Sequence, residues 1–185
     1  MRQLLTLLLL SAVQLAAIPL CEARSYSIEL LIFSLPGDSS GSQAAPQDMS
    51  TLPWDDSLRL GAQQMLPNGG GRLGAESNAL QRTPGYTPLI HAAWRQNVTG
   101  SENAKAWYLK SEQDIVPGTP TVEGLVKISV GRYLHAELDL LVRKKADGGV
   151  GNFKSYRFTT HRRMRSKELH YIDHPLVGVL IEINP

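Results

Sequence analysis

Two long segments of alternating apolar and polar residues constrain the fold of this chain most strongly. In residues 126–142 the apolar side chains recur at every second position, which is the periodicity of a β-strand with one buried face. Residues 153–164 alternate in the same way, and Asp147-Gly148-Gly149 between the two segments can adopt the positive φ of tight turns. The pattern therefore predicts two long strands that pair as an antiparallel hairpin.

Arg132 interrupts the alternation of the first segment, because it occupies a position on the apolar face. Two interpretations are open. Gly131 forms a β-bulge that turns Arg132 outward, or the guanidinium lies inside and is paired with a carboxylate.

The remaining elements follow from the same kind of pattern. We expect strands over residues 26–33, 86–98, 107–109 and 177–183, and a helix over 72–82 that Thr83-Pro84-Gly85 ends. Residues 36–71 are rich in Gly, Pro and Ser, which predicts a long mobile loop after the first strand, with residues 58–66 touching the body as one short helix. The predicted fold class is α+β, a mainly antiparallel sheet with one or two helices.

The N-terminus predicts export. An apolar run over residues 4–20 follows Met1 and Arg2, and small residues near Ala23 suit a cleaved signal peptide over residues 1–23. A retained membrane anchor is the alternative, since the run approaches the roughly 20 residues that span a bilayer. Cleavage leaves one domain, residues 24–185, with no stable membrane insertion. It also removes Cys21, the only cysteine of the chain, which excludes an internal disulfide.

The positive charge of the chain is concentrated in one stretch. The whole protein carries a formal charge of only +2, yet residues 143–167 hold nine Lys and Arg against a single Asp. A total so close to neutrality, together with the export signal, argues against a nucleic-acid partner.

Strand periodicity gathers part of this charge on one face of the predicted hairpin. With the hairpin centred near Gly148, the predicted opposite pairs are Asp139 with Arg157, His135 with His161, and Tyr133 with Arg163. The candidate ligand-binding residues are Tyr133, His135, Arg157, His161, Arg163 and Arg165. A guanidinium is suited to carboxylates, and aromatic rings can stack on sugars. The alternative is an ordinary solvated strand face with cross-strand ion pairs.

The chain contains no recognisable catalytic motif. A Gly-x-Ser-x-Gly elbow, a phosphate-binding loop and a His-Glu-x-x-His sequence are all missing. His170, Asp173 and His174 are of metal-ligand type, but Pro175 favours an extended backbone in which they would not converge. We therefore predict neither a metal nor a cofactor, and no enzymatic activity.

Four segments in this order resemble the CsiV-like peptidoglycan-binding proteins of Gram-negative bacteria. They are YSIELLIF at 26–33, LIHAAWRQ at 89–96, RYLH at 132–135 and HRRMRSKELHYIDHPLVG at 161–178, all behind a signal peptide. The resemblance covers the mature chain apart from the predicted loop at 36–71.

The resemblance implies a periplasmic, non-enzymatic protein that binds peptidoglycan. It also implies a role in cell-wall assembly with an outer-membrane lipoprotein activator of a bifunctional penicillin-binding protein. Two alternatives stay open from the residues alone. One is a protein-interaction adaptor without direct wall binding, and the other is a metal-dependent wall hydrolase that uses His170, Asp173 and His174.

Overall fold

The computed structural model describes residues 24–36, 57–67, 69–146 and 151–185, which form a four-stranded sheet, a five-stranded sheet, a small two-stranded sheet and one α-helix. The predicted signal peptide at 1–23 and the turn residues Asp147-Gly148-Gly149 lie outside the described residues. No described helix is long and apolar enough to cross a membrane.

The strands of the four-stranded sheet are β1 (Arg24–Ser34), β3 (Thr87–Val98), β10 (Leu169–Asp173) and β11 (Val177–Asn184). Their order is β10-β11-β1-β3, so the first strand of the chain lies inside the sheet. Every second residue of β1 is apolar and buried, including Ile28, Leu30 and Ile32, as expected for a strand with one face against the core.

The second sheet has five strands, which are β2 (Leu58–Arg59), β4 (Ala106–Lys110), β7 (Val122–Val130), β8 (Leu134–Lys145) and β9 (Phe153–Met164). Their order is β2-β4-β7-β8-β9. Two short strands, β5 (Asp114–Val116) and β6 (Thr119–Pro120), pair separately. The predicted hairpin between residues 126–142 and 153–164 is present as the antiparallel pair β8 and β9.

The prediction of one continuous strand over residues 126–142 is wrong. Residues 131–133 form a turn that joins β7 to β8, and these two strands pair antiparallel. Arg132 lies in this turn and is exposed, so the interpretation of a buried guanidinium is excluded. Gly131 belongs to the turn and not to a bulge within a strand.

The main hydrophobic core lies between the two large sheets. It contains most even-numbered residues of β1, β7 and β8, with Trp94 of β3 and Phe158 of β9. Because both sheets contribute alternate residues to the same cluster, their inner faces pack against each other. This burial supplies the main stabilisation of the domain.

The helix α1 (Gly74–Arg82) covers part of the opposite face of the four-stranded sheet. Leu73 packs on Leu31 and Phe33 of β1 in a second apolar cluster, with Leu80 at its border. The helix ends before Thr83 and Pro84, as predicted. The chain therefore has three layers, in the order helix, four-stranded sheet and five-stranded sheet.

The described part of the predicted loop contacts the body, as expected for residues 58–66, but it does not form one helix. Leu58 and Arg59 pair parallel with β4, Ala62–Gln64 form a single 3-10 turn, and the Leu66 amide donates to the His91 carbonyl at 2.7 Å. Residues 37–56 lie outside the described residues. The predicted α+β class with mainly antiparallel sheets is confirmed.

Candidate functional site

The outer face of the five-stranded sheet contains the candidate residues. Odd-numbered residues of β7, β8 and β9 point to this face, since the even-numbered residues of the same strands fill the core. Strand pairing arranges them in rows across the sheet. One row joins Ser129, His135 and Arg163, and the next joins Lys127, Glu137 and His161.

All six predicted ligand-binding residues lie on this face or at its edge. Tyr133 is in the turn before β8, and His135 is near the start of β8. Arg157, His161 and Arg163 lie on β9, while Arg165 follows the end of that strand.

The predicted register of the hairpin is wrong by two residues. His135 lies opposite Arg163, Glu137 opposite His161, and Asp139 opposite Thr159. A shift of two residues keeps every side chain on its predicted face, because the strand repeat is two.

The predicted partners nevertheless touch, as diagonal neighbours instead of opposite ones. His135 Nδ1 and His161 Nε2 are 3.0 Å apart, and the guanidinium carbon of Arg163 lies 4.5 Å from the centre of the Tyr133 ring. Diagonal Cα atoms of an antiparallel pair are about 7–8 Å apart, which aromatic and long side chains can span. Four of the six residues therefore form one exposed cluster, which we call the His-Arg-Tyr cluster: Tyr133, His135, His161 and Arg163.

Arg157 differs from this cluster because a carboxylate of the same sheet neutralises it. Its Nε donates to Asp139 Oδ1 at 2.7 Å, and its Nη2 donates to the other oxygen of the same group. The hydrogen bond to Asp139 raises the pKa of Arg157 above its usual value. Arg157 is therefore held by the protein itself and is a weaker candidate for ligand binding than Arg163.

Arg165 is far more exposed than Arg157. Its side chain is 72% exposed and approaches Glu168 at 3.5 Å, a distance typical of a weak surface ion pair. Its backbone amide donates to His170 Nε2 at 3.1 Å, which fixes the backbone just beyond β9. Arg132 adds a further exposed cation, with its guanidinium carbon 5.6 Å from the centre of the Tyr133 ring.

An open groove of about 480 Å³ lies beside the cluster on the same face. Lys127, Glu137, Asp139, Thr159 and His161 line its walls, over a floor that includes Leu125. Lys127 Nζ lies 3.1 Å from Glu137 Oε1. A second hollow of about 420 Å³ lies on the other side of His135, against the loop at 100–103. The two imidazoles thus separate two concave surfaces.

The half of this face near the end of β8, which we call the lower half, contains a buried polar network. Arg143 donates to the Pro120 carbonyl at 2.6 Å and to Glu123, and Tyr108 donates to the second oxygen of Glu123 at 2.8 Å. Arg143 and Glu123 are both buried, so Arg143 is unavailable to a ligand although it belongs to the basic stretch of the sequence. Burial, and then the hydrogen bond to Glu123, raises the pKa of Tyr108.

The sequence analysis did not predict this network or the acidic side of the groove. Strand periodicity does indicate that Glu123, Glu137 and Asp139 lie on the same odd-numbered face as the cations. Their neighbours on β4 and β7 could not be known without the strand order.

The three residues of the predicted metal alternative have separate roles. His170 accepts a backbone hydrogen bond from Arg165, and Asp173 accepts the hydroxyl hydrogen of Tyr171 at 2.7 Å. The His174 ring lies 4.7 Å from the Phe158 ring, and burial lowers the pKa of His174. In the described part of the chain, no three His, Cys, Asp or Glu side chains are grouped so that they could hold a metal ion.

The chain matches a known protein family. The model of a protein family described as "Peptidoglycan-binding protein, CsiV" matches residues 56–185. No curated protein and no solved structure matches the chain. The matched region contains every residue of the cluster, the groove and the buried network.

Proposed function

This chain belongs to the CsiV family of peptidoglycan-binding proteins, and from this premise we propose that it binds the cell wall through the outer face of its five-stranded sheet. The binding surface consists of the His-Arg-Tyr cluster, Arg165 and the adjoining groove. The protein acts by binding and not by catalysis.

The observation that carries this proposal is the exposed guanidinium of Arg163 on the ring of Tyr133. In the described part of the chain, no carboxylate lies within ion-pair distance of Arg163. The stacking holds the planar guanidinium in place while its N–H groups stay available. A guanidinium held in this way is suited to bidentate binding of a carboxylate.

Peptidoglycan offers the matching groups. Its peptide stems carry several free carboxylates, and its sugars have apolar faces that stack on aromatic rings. Arg163, Arg165 and Arg132 supply the positive charge, and Tyr133 supplies a ring that is 42% exposed. The ligand lies in the cell envelope, which agrees with the export that we predict from residues 1–23.

The cellular role that we propose is support of cell-wall assembly in the periplasm. The likeness to the CsiV-like proteins suggests an outer-membrane lipoprotein activator of a bifunctional penicillin-binding protein as the partner. The experiment that we propose tests wall binding and does not test binding of this partner.

Co-sedimentation of the exported protein with protein-free sacculi tests the proposal. We expect binding that weakens as salt rises, because exposed charges are screened over about 8–10 Å at 0.1–0.15 M salt. The double variant Arg163→Gln and Arg165→Gln should lose most of this binding.

The matched control is the double variant Arg82→Gln and Arg95→Gln. It removes the same charge from exposed positions on α1 and β3, on the helix-bearing side of the molecule, and should bind sacculi like the wild type. Equal losses of binding in both double variants would mean that only the net charge of the protein matters, and would contradict the proposed binding face. Absence of binding by the wild type would instead favour an adaptor that reaches the wall only through other proteins.

A further inference from the structure

The outer face of the four-stranded sheet carries exposed apolar side chains where α1 does not cover it. Leu73, at the start of the helix, packs on β1, but β10 at the edge of the sheet is open. Leu169 and Tyr171 of β10 are each 46% exposed. Both point to the outer face, because Ile172 between the two sheets belongs to the core. Neighbouring exposed apolar side chains are typical of an interaction site.

A groove of about 460 Å³ lies between α1 and this open part of the sheet, and aromatic rings line it. The ring of Tyr171 stacks on that of Phe33, with the ring centres 6.3 Å apart and the planes inclined by 16°. The Tyr86 ring lies 6.2 Å from the same Phe33 ring. The Tyr171 hydroxyl donates to Asp173 at 2.7 Å. This hydrogen bond and the stacking on Phe33 hold the exposed ring in place.

Glu76 of α1 is the one charged side chain among the described residues that line this groove. Its Oε2 is buried and has no hydrogen-bond donor in the described part of the chain. A position in the first turn of α1 favours a negative charge, since the N-terminus of a helix is positive. The helix dipole does not supply a donor to the buried oxygen, however, and a buried acceptor without a donor costs free energy. The groove therefore suits a ligand that donates hydrogen bonds to Glu76.

Rings and a carboxylate in one groove suit a cation on an apolar stem. An ammonium or guanidinium is attracted to aromatic faces and forms a charge-assisted hydrogen bond with a carboxylate. Lys and Arg side chains carry such a cation at the end of a methylene chain. Leu35, Leu80 and Leu180 line the same groove and provide apolar contacts for that chain. An anionic group would be repelled by Glu76.

The segment of this chain that follows the groove lacks the required cation. Leu35 lines the groove, but residues 37–56 contain no Lys or Arg. We propose that the groove between α1 and β10 docks a Lys- or Arg-bearing segment of a partner protein, with Glu76 binding the cation and Tyr86 and Tyr171 packing on its stem.

This inference is independent of the proposed wall binding. The groove and the His-Arg-Tyr cluster lie on the outer faces of different sheets, and the core lies between them. The two surfaces also differ in charge, since the cluster is basic and the groove is acidic. A protein with both surfaces can bind the wall and a partner protein at the same time.

Three short peptides test the inference by NMR titration of the isotope-labelled exported protein. They are acetylated and amidated tripeptides with leucine at both ends and lysine, norleucine or glutamate in the middle. Norleucine keeps the apolar stem of lysine without the ammonium, so a purely apolar groove would prefer it. We expect the lysine peptide to bind about fivefold more tightly than the norleucine peptide, and the glutamate peptide to bind most weakly.

Two variants of α1 test the role of the carboxylate. Glu76→Gln should lower the affinity for the lysine peptide about fivefold, to that for the norleucine peptide, because it keeps the shape and removes the charge. Ala79→Arg, at an exposed position that lines the groove, should weaken the lysine peptide most, since it adds a competing cation. Glu112→Gln, exposed and outside the groove, is the matched control and should keep the wild-type affinities.

The two exposed tyrosines distinguish partner binding from wall binding. Tyr171→Ser should weaken the binding of all three peptides and leave sedimentation with sacculi as in the wild type. Tyr133→Ser removes an equally exposed ring from the His-Arg-Tyr cluster and should leave the binding of all three peptides unchanged.

Several results would overturn the inference. Equal affinities for the lysine and norleucine peptides, or no binding of either at millimolar concentration, would do so and leave the wall-binding proposal in place. Loss of sacculus binding in Tyr171→Ser, with binding retained in Tyr133→Ser, would place the wall in the groove and contradict both proposals. A dimer in sedimentation equilibrium that Glu76→Gln dissociates would assign the groove to a second copy of this chain. Circular dichroism checks the fold of each variant, and Ala79→Arg decides the outcome if Tyr171→Ser unfolds.

Discussion

Replacing Glu29 by Gln should destabilise the fold strongly. Glu29 lies on β1 beneath α1 and is only 2% exposed. Its Oε1 accepts hydrogen bonds from the Leu73 amide and from His91 Nε2, both at 2.9 Å, and its Oε2 accepts one from the Arg72 amide at 2.9 Å. The carboxylate thus joins the start of α1 to two neighbouring strands of the sheet.

The size of the effect follows from these three bonds. A hydrogen bond to a charged group contributes about 1.5–3 kcal/mol, and a buried donor left without its acceptor costs about 1–3 kcal/mol. Glutamine keeps one oxygen acceptor but turns an NH₂ group toward a backbone N–H. We therefore expect Glu29→Gln to lower the free energy of unfolding by about 3–4 kcal/mol.

Urea denaturation followed by circular dichroism at pH 7 measures this difference. Glu112→Gln, at an exposed position, is the matched control and should change the free energy of unfolding by less than about 0.5 kcal/mol. A loss below about 1 kcal/mol for Glu29→Gln would contradict the assigned role of the carboxylate.

The same carboxylate gives the fold a pH dependence with a defined sign. Burial alone would raise the pKa of Glu29, but the hydrogen bonds from Leu73, Arg72 and His91 lower it overall from a usual value of 4.5. Because the folded pKa lies below the unfolded one, the stabilisation is complete above about pH 4.5 and is lost as the pH falls through the folded pKa. The stability difference between wild type and Glu29→Gln should therefore be constant near neutrality and shrink below pH 4.5. A difference that grows on acidification would reverse the assigned sign.

Two further substitutions test the packing of Gly178 against Phe33 and the hydrogen bond from Tyr108 to Glu123. Gly178→Ala would place a Cβ 2.3 Å from the Phe33 ring, so we expect a loss of about 1–3 kcal/mol in the free energy of unfolding by thermal or urea denaturation. An unchanged midpoint would mean that the ring moves freely. Tyr108→Phe removes the hydroxyl that donates to Glu123 and should cost about 1–2 kcal/mol in the same assay, while sacculus binding by the folded variant stays as in the wild type. A selective loss of wall binding would place Tyr108 in the ligand surface instead.

The sequence predicted the faces of the strands better than their ends. The turn at 131–133 was missed because it has three residues, so Val130 and Leu134 are separated by an even number of positions and both point into the core. The apolar residues on the two sides of the turn therefore stay in the same phase. Two signals were available: Arg132 interrupts the alternation beside Gly131, and a strand of 17 residues exceeds the usual 3–10.

The alternation of apolar and polar residues could not predict the register of the hairpin or the role of Glu29, for two different reasons. Periodicity of two fixes the face of each β9 residue but not its partner on β8, so a shift of two residues leaves no trace in the sequence. For Glu29, the neighbouring odd-numbered residues Leu31 and Phe33 are apolar, which indicates that the outer face of β1 is also covered. Its covering helix α1 lies some 45 residues away in sequence, and no local pattern identifies it.

The architecture itself restricts where the described domain can bind a large polymer. Of the four faces of the two large sheets, two form the core and a third is partly covered by α1. The fourth, on the five-stranded sheet, is divided by its own polar contacts. Its lower half holds the buried network of Arg143 and Glu123, while its upper half holds the exposed His-Arg-Tyr cluster and the groove. Mutations in the lower half should therefore act through stability, and mutations in the upper half through binding without unfolding. A binding map in which losses without unfolding are confined to the α1 side would refute this division.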